Sequence, residues 1–128
     1  MVLDASAVVE LVMWSERGRR VGTIVERDWS LHVPELMMVE VAHVLRGLVA
    51  QGTCASADGA LYVESARLLP AERHGHDNLV KRAFELRHNL TTYDAMYVAL
   101  AEALGATLVT FDRRLAAAPG HNATIVVP

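Results

Sequence analysis

The sequence predicts an α/β domain with a mostly parallel sheet covered by helices on both faces. Two observations carry that expectation. Short apolar runs of strand length alternate with longer stretches of helical period along the whole chain. The composition agrees: apolar residues make up 52% but aromatic ones only 5%, so the core is built from Ala, Val and Leu, the palette of helices on a buried sheet. At 128 residues the chain is read as one domain, 1–128, burying about two-thirds of the surface its unfolded form exposes. No internal repeat, low-complexity segment or linker divides it.

Val2-Leu3-Asp4 is a short apolar run ending on an aspartate, and Ala5 to Trp14 suits a helix starting directly after it. Ser15 to Trp29 reads as a second helix, with Ser15 as N-cap and Val21, Ile24 and Val25 on its apolar stripe. Ser30 to Val33 has strand length. Pro34 is placed in the first turn of a third helix that runs to Gln51 and stops at Gly52, with Leu36, Met37, Val41, Val44, Leu45 and Leu48 inward. Ser56 to Leu69 forms a fourth helix, ended by Pro70 or followed by a short strand. Asp77 to Asn89 forms a fifth, with Leu79, Val80, Ala83, Phe84 and Leu86 inward, and Thr91 or Thr92 caps a sixth ending at Gly105. Ala106 to Phe111 is the clearest strand, followed by a short helix from Asp112 to Ala118, a turn at Pro119-Gly120 and a last strand from Ala123 to Val127. The aromatic residues Trp14, Trp29, Phe84, Tyr93, Tyr97 and Phe111 are read as core or interface material.

Several function classes drop out early. No apolar run approaches the roughly 20 residues that span a bilayer, and Met1-Val-Leu-Asp4 lacks the basic start of a signal peptide, so a soluble, cytoplasmic protein is expected. The single Cys54 has no partner for an internal disulfide and no metal-ligand pattern around it. The net charge of −3 argues against nucleic-acid binding by global attraction while permitting local basic patches. No GxxxxGK[ST] loop is present, which speaks against ATP-driven phosphoryl transfer.

Most of the acidic residues fall on polar helix faces, where Glu26, Glu64, Glu72, Glu85 and Glu102 need no special account. Four do not fit that description. Glu40 follows Met37 by three and precedes Val44 by four, on or beside the apolar stripe of its helix. An unpaired buried carboxylate costs several kcal/mol, so Glu40 requires a cation, a metal or an open cleft. Asp4 and Asp112 follow strands and precede helices, where an N-cap aspartate stabilises by about 1 kcal/mol. Asp94 lies three after Thr91, the capping-box spacing. Capping alone accounts for each singly. Together they fall at the carboxyl ends of the strands, where open α/β sheets carry their ligand crevice, and the helix after Pro34 can bring Glu40 alongside. Four converging carboxylates without matching Arg or Lys repel one another, which a divalent cation relieves.

Oxygen ligands without His or Cys point to Mg²⁺ or Mn²⁺ rather than zinc. Carboxylate-bound metals of that kind serve phosphodiester hydrolysis, activating a water and stabilising the leaving oxyanion. Ser6, two after Asp4, and Thr110, two before Asp112, are placed to hydrogen-bond the carboxylates or a bound water, or else to serve as a helix cap and a strand former. Arg113 and Arg114 lie beside the site and can hold a phosphate backbone, as can Arg17, Arg19, Arg20 and Lys81-Arg82…Arg87; solvated helix faces are the alternative. His74-Gly-His76 is the nearest approach to a histidine metal pair and reads as a solvated loop. Long apolar helices on a small chain leave room for dimerisation.

The order VLDASAVVELV, PELMMVEVAHVLRGL and LTTYDAMYVALAEALGATLVTFDRRLA resembles the PIN-domain ribonucleases of the VapC toxin type, over essentially the whole chain. Its most specific pieces are the opening D-A-S-A, the V-E-V of the third helix and the Y-D-A…L-V-T-x-D block. The resemblance implies a three-layer α/β/α PIN-like fold with an acidic Mg²⁺ or Mn²⁺ site formed by Asp4, Glu40, Asp94 and Asp112, supported by Ser6 and Thr110. It also implies an endoribonuclease that cleaves structured RNA such as tRNA or rRNA, a VapB-type antitoxin as partner, and a homodimer. Two departures stand out. The lead before Asp4 is shorter than in many members, and Phe111 stands where the family residue is often smaller, beside the groove at Asp112. Neither removes an acidic ligand, so an active enzyme is expected. Two competing readings remain at this point: a non-catalytic PIN-like module that binds RNA or protein, and a nuclease acting on DNA, since carboxylates that meet phosphates do not read the 2′-OH.

Overall fold

The computed structural model describes all residues from Met1 to Pro128. Five short strands form one parallel sheet in the order β3-β2-β1-β4-β5. They are β1 (Val2–Leu3), β2 (His32–Pro34), β3 (Glu72–His74), β4 (Leu108–Val109) and β5 (Ile125–Val126). The seven helices are α1 (Ala5–Val12), α2 (Glu16–Val25), α3 (Met37–Ala50), α4 (Ser56–Arg67), α5 (Val80–Glu85), α6 (Thr92–Leu104) and α7 (Arg113–Ala116). α1 packs on α2, α3 and α4, while α6 runs against β1, β2 and β4 and carries α5 on its outer side. The sheet thus lies between two helical layers, and the three-layer expectation holds.

The core forms where the sequence is apolar without interruption. Val2 and Leu3 of β1 and Leu108 and Val109 of β4 are fully buried in the middle of the sheet, in register as Val2↔Leu108 and Leu3↔Val109. Along α6 every residue from Ala95 to Ala101 is buried, as expected of a helix enclosed on all sides. Gly105 ends it with φ +59 in the left-handed region, the conformation glycine adopts without steric cost. Gly18 of α2 is needed for a different reason: a Cβ there would lie 1.9 Å from the Glu10 carbonyl oxygen, so only glycine lets α2 cross α1 this closely.

Several expectations are corrected. Pro34 belongs to β2 and not to the helix, and α3 starts at Met37. Proline fixes its own φ and holds Val33 extended, which suits a strand end. The short strand offered as an alternative after Pro70 forms at Glu72–His74 and pairs with β2 at the sheet edge, so Glu72 is not on a helix face and His74 is not in a loop. Val80 and Phe84 of α5 point outward, 48% and 62% exposed, because the helix is one and a half turns long and buries only Ala83. Trp14, Trp29 and Tyr93 are also exposed and Tyr97 alone of the larger aromatics is fully in the core. Glu102 is not on a solvated face either: it is largely buried and holds the Arg82 guanidinium.

Candidate active site

The carboxyl ends of the two central strands deliver the first and last aspartates. Asp4 follows β1 and caps α1, its Oδ1 accepting the Ala7 N–H at 2.9 Å. Ser6 Oγ donates to the same oxygen at 2.6 Å, and Thr110, at the end of β4, donates its hydroxyl to Oδ2. Both hydroxyls also accept: Ser6 from the Phe111 N–H and Thr110 from the Asp112 N–H, each at 2.9 Å. The buried Asp4 carboxylate is therefore tied through two hydroxyls to the backbone leading into Asp112. Of its four lone-pair positions three are taken, which leaves one on Oδ2 for a cation. Asp112 caps α7, accepting the Arg114 N–H at 2.7 Å and the Leu115 N–H at 3.2 Å with Oδ1. Its second oxygen makes no such bond.

Asp94 and Glu40 come from helix first turns. Thr91 caps α6 by accepting the Asp94 N–H at 3.1 Å, and its hydroxyl donates back to Asp94 Oδ2 at 2.7 Å. Glu40, in the first turn of α3, accepts the Tyr97 hydroxyl proton. All four carboxylates, with Ser6, Tyr97, Tyr93, His43, Val39 and Val44, line one cavity of about 520 Å³. No Arg or Lys lines it.

Burial pushes the Asp4 carboxyl above its ordinary value of 3.8, against the hydrogen bonds from Ser6 and Thr110. Glu40 is raised above 4.5, first by burial and then by the charges of Asp94 and Asp4, while the bond from Tyr97 opposes the shift. The Tyr97 phenol is itself pushed up by burial and by Glu40, so it stays a donor. The ionised set repels itself and has no internal counter-charge, and its donors are hard oxygens, so the residues fit a divalent cation such as Mg²⁺ or Mn²⁺. No three of the four offer oxygens all within 4.8 Å of one another; His32, Glu72 and His74 form the trio that does. Gathering the quartet on one ion thus calls for side-chain rotation, which the open, exposed Asp112 permits.

Arg114 borders a smaller hollow with Asp94 and Asp112, and Arg113 stands exposed beside it on α7. Three other basic groups carry ion pairs of their own. Arg17 pairs with Glu10 at 3.6 Å and lies 5.4 Å over the Phe111 ring; Arg20 pairs with Glu16, and Arg82 with Glu85 and Glu102. Tyr97 and His43 are cavity residues that the sequence reading missed. Each lies three residues after a quartet member on the same helix, Asp94 and Glu40, the spacing that places two side chains on one face.

A parallel sheet with paired carboxylates at the ends of its central strands defines an acidic-crevice α/β domain, with its ligand site beyond those ends. The PIN domain family model matches residues 1–120. The chain is 39% identical to Ribonuclease VapC12 of Mycobacterium tuberculosis over 98% of its length and 96% of the relative's. Two solved structures share the fold: PAE2754 from Pyrobaculum aerophilum, with TM-score 0.71 and 24% identity over 97% of this chain and 81% of that one, and VapBC2 from Rickettsia felis bound to a DNA fragment from its promoter, with TM-score 0.68 and 13% identity over 98% and 96%. The chain belongs to the PIN domain family and, within it, to the VapC ribonucleases.

Proposed function

We propose that this chain is the toxin of a type II toxin–antitoxin pair, a Mg²⁺- or Mn²⁺-dependent endoribonuclease that cuts structured RNA at the Asp4–Glu40–Asp94–Asp112 crevice. The observation that carries the reading is the convergence of four carboxylates on one cavity without a Lys or Arg. The family's ribonuclease relatives support the reaction class. Bound there, the cation supplies a lowered pKa for an attacking water and a counter-charge for the leaving oxygen.

The chain's own residues divide the remaining tasks. Asp4 is held in one rotamer by Ser6 and Thr110, so its free lone pair has a fixed direction. Asp94 and Asp112 each keep hydrogen-bonding capacity while capping, so helix capping and cation holding coexist. Glu40, with its raised pKa and its carboxyl steadied by Tyr97, is suited to orient the water and accept its proton. Arg113 and Arg114 hold phosphates of the RNA backbone.

The partner in this reading is a VapB-type antitoxin. Val39, Val44 and Tyr93, exposed by 72%, 40% and 65% beside the crevice, give an apolar rim on which its segment can lie while reaching the carboxylates. The homodimer and the cytoplasmic setting belong to the same proposal; no helix is long and apolar enough to cross a membrane. The test is cleavage of total RNA by the purified chain with Mg²⁺ or Mn²⁺, mapped by sequencing the cut ends. Cleavage that needs neither ion, or that survives Asp94→Asn unchanged, overturns the assignment.

A further inference from the structure

We infer that the chain carries a second metal site, for a transition ion of the Zn²⁺ class, on the face of the sheet at β2 and β3 and separate from the acidic crevice. Its ligands are His32 Nδ1, His74 Nε2 and the Glu72 carboxylate, which all lie within 4.8 Å of one another. The strands put them there. Glu72 and His74 are two apart and share one face of β3, and His32 is the cross-strand partner of Glu72. Arg73 between them turns the other way and donates to the Arg67 carbonyl at 2.8 Å.

The distances suit an ion. His32 Nδ1 and His74 Nε2 face each other at 3.0 Å, Glu72 Oε2 lies 3.5 Å from the first and Oε1 lies 3.9 Å from the second. Donors about 2.0–2.2 Å from a tetrahedral ion stand roughly 3.3 Å from one another, within the range already spanned here. The two facing nitrogens share at most one proton when both rings are neutral, and moving it to the outer nitrogen of His74 frees two lone pairs for the metal. Ser30 Oγ, 2.9 Å from His32 Nε2, is placed to accept an N–H from the outer nitrogen of that ring in the tautomer that offers Nδ1 inward. The histidine side chains are 16% and 21% exposed and Glu72 68%, so the rings are held in place while the carboxylate stays open to solvent for ion entry. Two imidazoles and one carboxylate favour Zn²⁺, Ni²⁺ or Cu²⁺ over Mg²⁺. His76 is no member of the set, because its Nε2 accepts the Leu36 N–H at 3.1 Å.

An ion there ties the edge strand β3 to β2, clamping the side of the sheet that has no further strand. The experiment is calorimetric titration of untagged protein with Zn²⁺ in excess Mg²⁺, with Co²⁺ absorption as a spectroscopic readout of nitrogen–oxygen ligation. The expected result is one equivalent bound and a melting temperature raised by Zn²⁺ and restored by chelator. Glu72→Gln, at an exposed position, and His74→Ala each weaken binding roughly 10- to 100-fold or more, while Asp94→Asn leaves it unchanged. If His74→Ala unfolds the chain, Glu72→Gln still decides. Absence of Zn²⁺ binding to the wild-type chain, full binding in Glu72→Gln, or loss of binding in Asp94→Asn overturns the proposal.

Discussion

Two hollows of equal volume, about 520 Å³ each, treat their carboxylates in opposite ways. At the crevice, Asp4, Glu40, Asp94 and Asp112 face one another without Lys or Arg. At the corner of α5, α6 and the last loop, Glu102 accepts two hydrogen bonds from Arg82 at 2.7 and 3.0 Å and another from the Asn122 N–H at 2.8 Å, and Arg82 also reaches the Gly120 carbonyl. The electrostatic consequences differ in sign: Glu102 is held below its ordinary 4.5, mainly by Arg82, whereas burial and like charges hold Glu40 above it. The carboxylate that fastens the fold carries its counter-charge with it, and those of the crevice have none in their cavity. Cavity size alone cannot tell the two apart.

The largest expected effect falls on the crevice. Asp4→Asn and Asp94→Asn preserve shape but remove charge, and each lowers RNA cleavage on the order of 10²–10⁴-fold with an unchanged circular dichroism spectrum. Asp112 separates its two duties. Asp112→Asn keeps the cap and loses cleavage, while Asp112→Ala loses both and costs about 1 kcal/mol in urea unfolding.

At the other hollow Arg82→Ala should leave the rate per folded molecule unchanged and lower stability by about 1 kcal/mol, the guanidinium being one-third exposed and screened. A large loss of cleavage there breaks the contrast.

The smallest effect is a gain. Glu40→Gln keeps the bond from Tyr97 and removes a repelled charge, so the metal-free chain melts about 2–5 °C higher at neutral pH although cleavage falls. The pH dependence sharpens the same contrast. Asp4 and Glu40, raised above 3.8 and 4.5, favour the metal-free fold most below those values, and that advantage is lost as pH rises through their raised values. Glu102, lowered below 4.5, stabilises above 4.5 and loses its contribution as pH falls. Metal-free melting curves of Glu40→Gln and Arg82→Ala between pH 3 and 7 should therefore converge on wild type at the acid end and separate from it in opposite directions at the neutral end, Glu40→Gln upward and Arg82→Ala downward.

The helices and the central strands were legible because apolar period and caps coincide in them: Ser15, Thr91 and Asp112 stand at the caps where the sequence puts them. The meeting of the four carboxylates in one cavity was legible by position: Asp4 and Asp112 stand between strand and helix, Asp94 three after Thr91, and Glu40 on the apolar stripe of α3. β3 was not. Glu72-Arg73-His74 has no apolar residue to mark it, and it is a strand because β2 offers it a ladder. Tyr97 was hidden inside an uninterrupted apolar helix, where a phenol looks like any other core residue until Glu40 is seen across from it. The His32–Glu72–His74 trio was invisible for a related reason: its members come from two strands far apart in sequence, and only the register of β2 and β3 brings them together.

The two hydroxyl latches that join Asp4 to the backbone before Asp112 also set an order in time. β4 lies between β1 and β5, so Asp4 receives its Thr110 bond, and gains Asp112 as a neighbour, only after the chain has been made through β4. A growing polypeptide carrying Asp4, Glu40 and Asp94 still lacks the strand that orients the first of them. In the proposed role, a ribosome translating this message is not exposed to a finished cutting centre until β4 and Asp112 have joined the three earlier carboxylates.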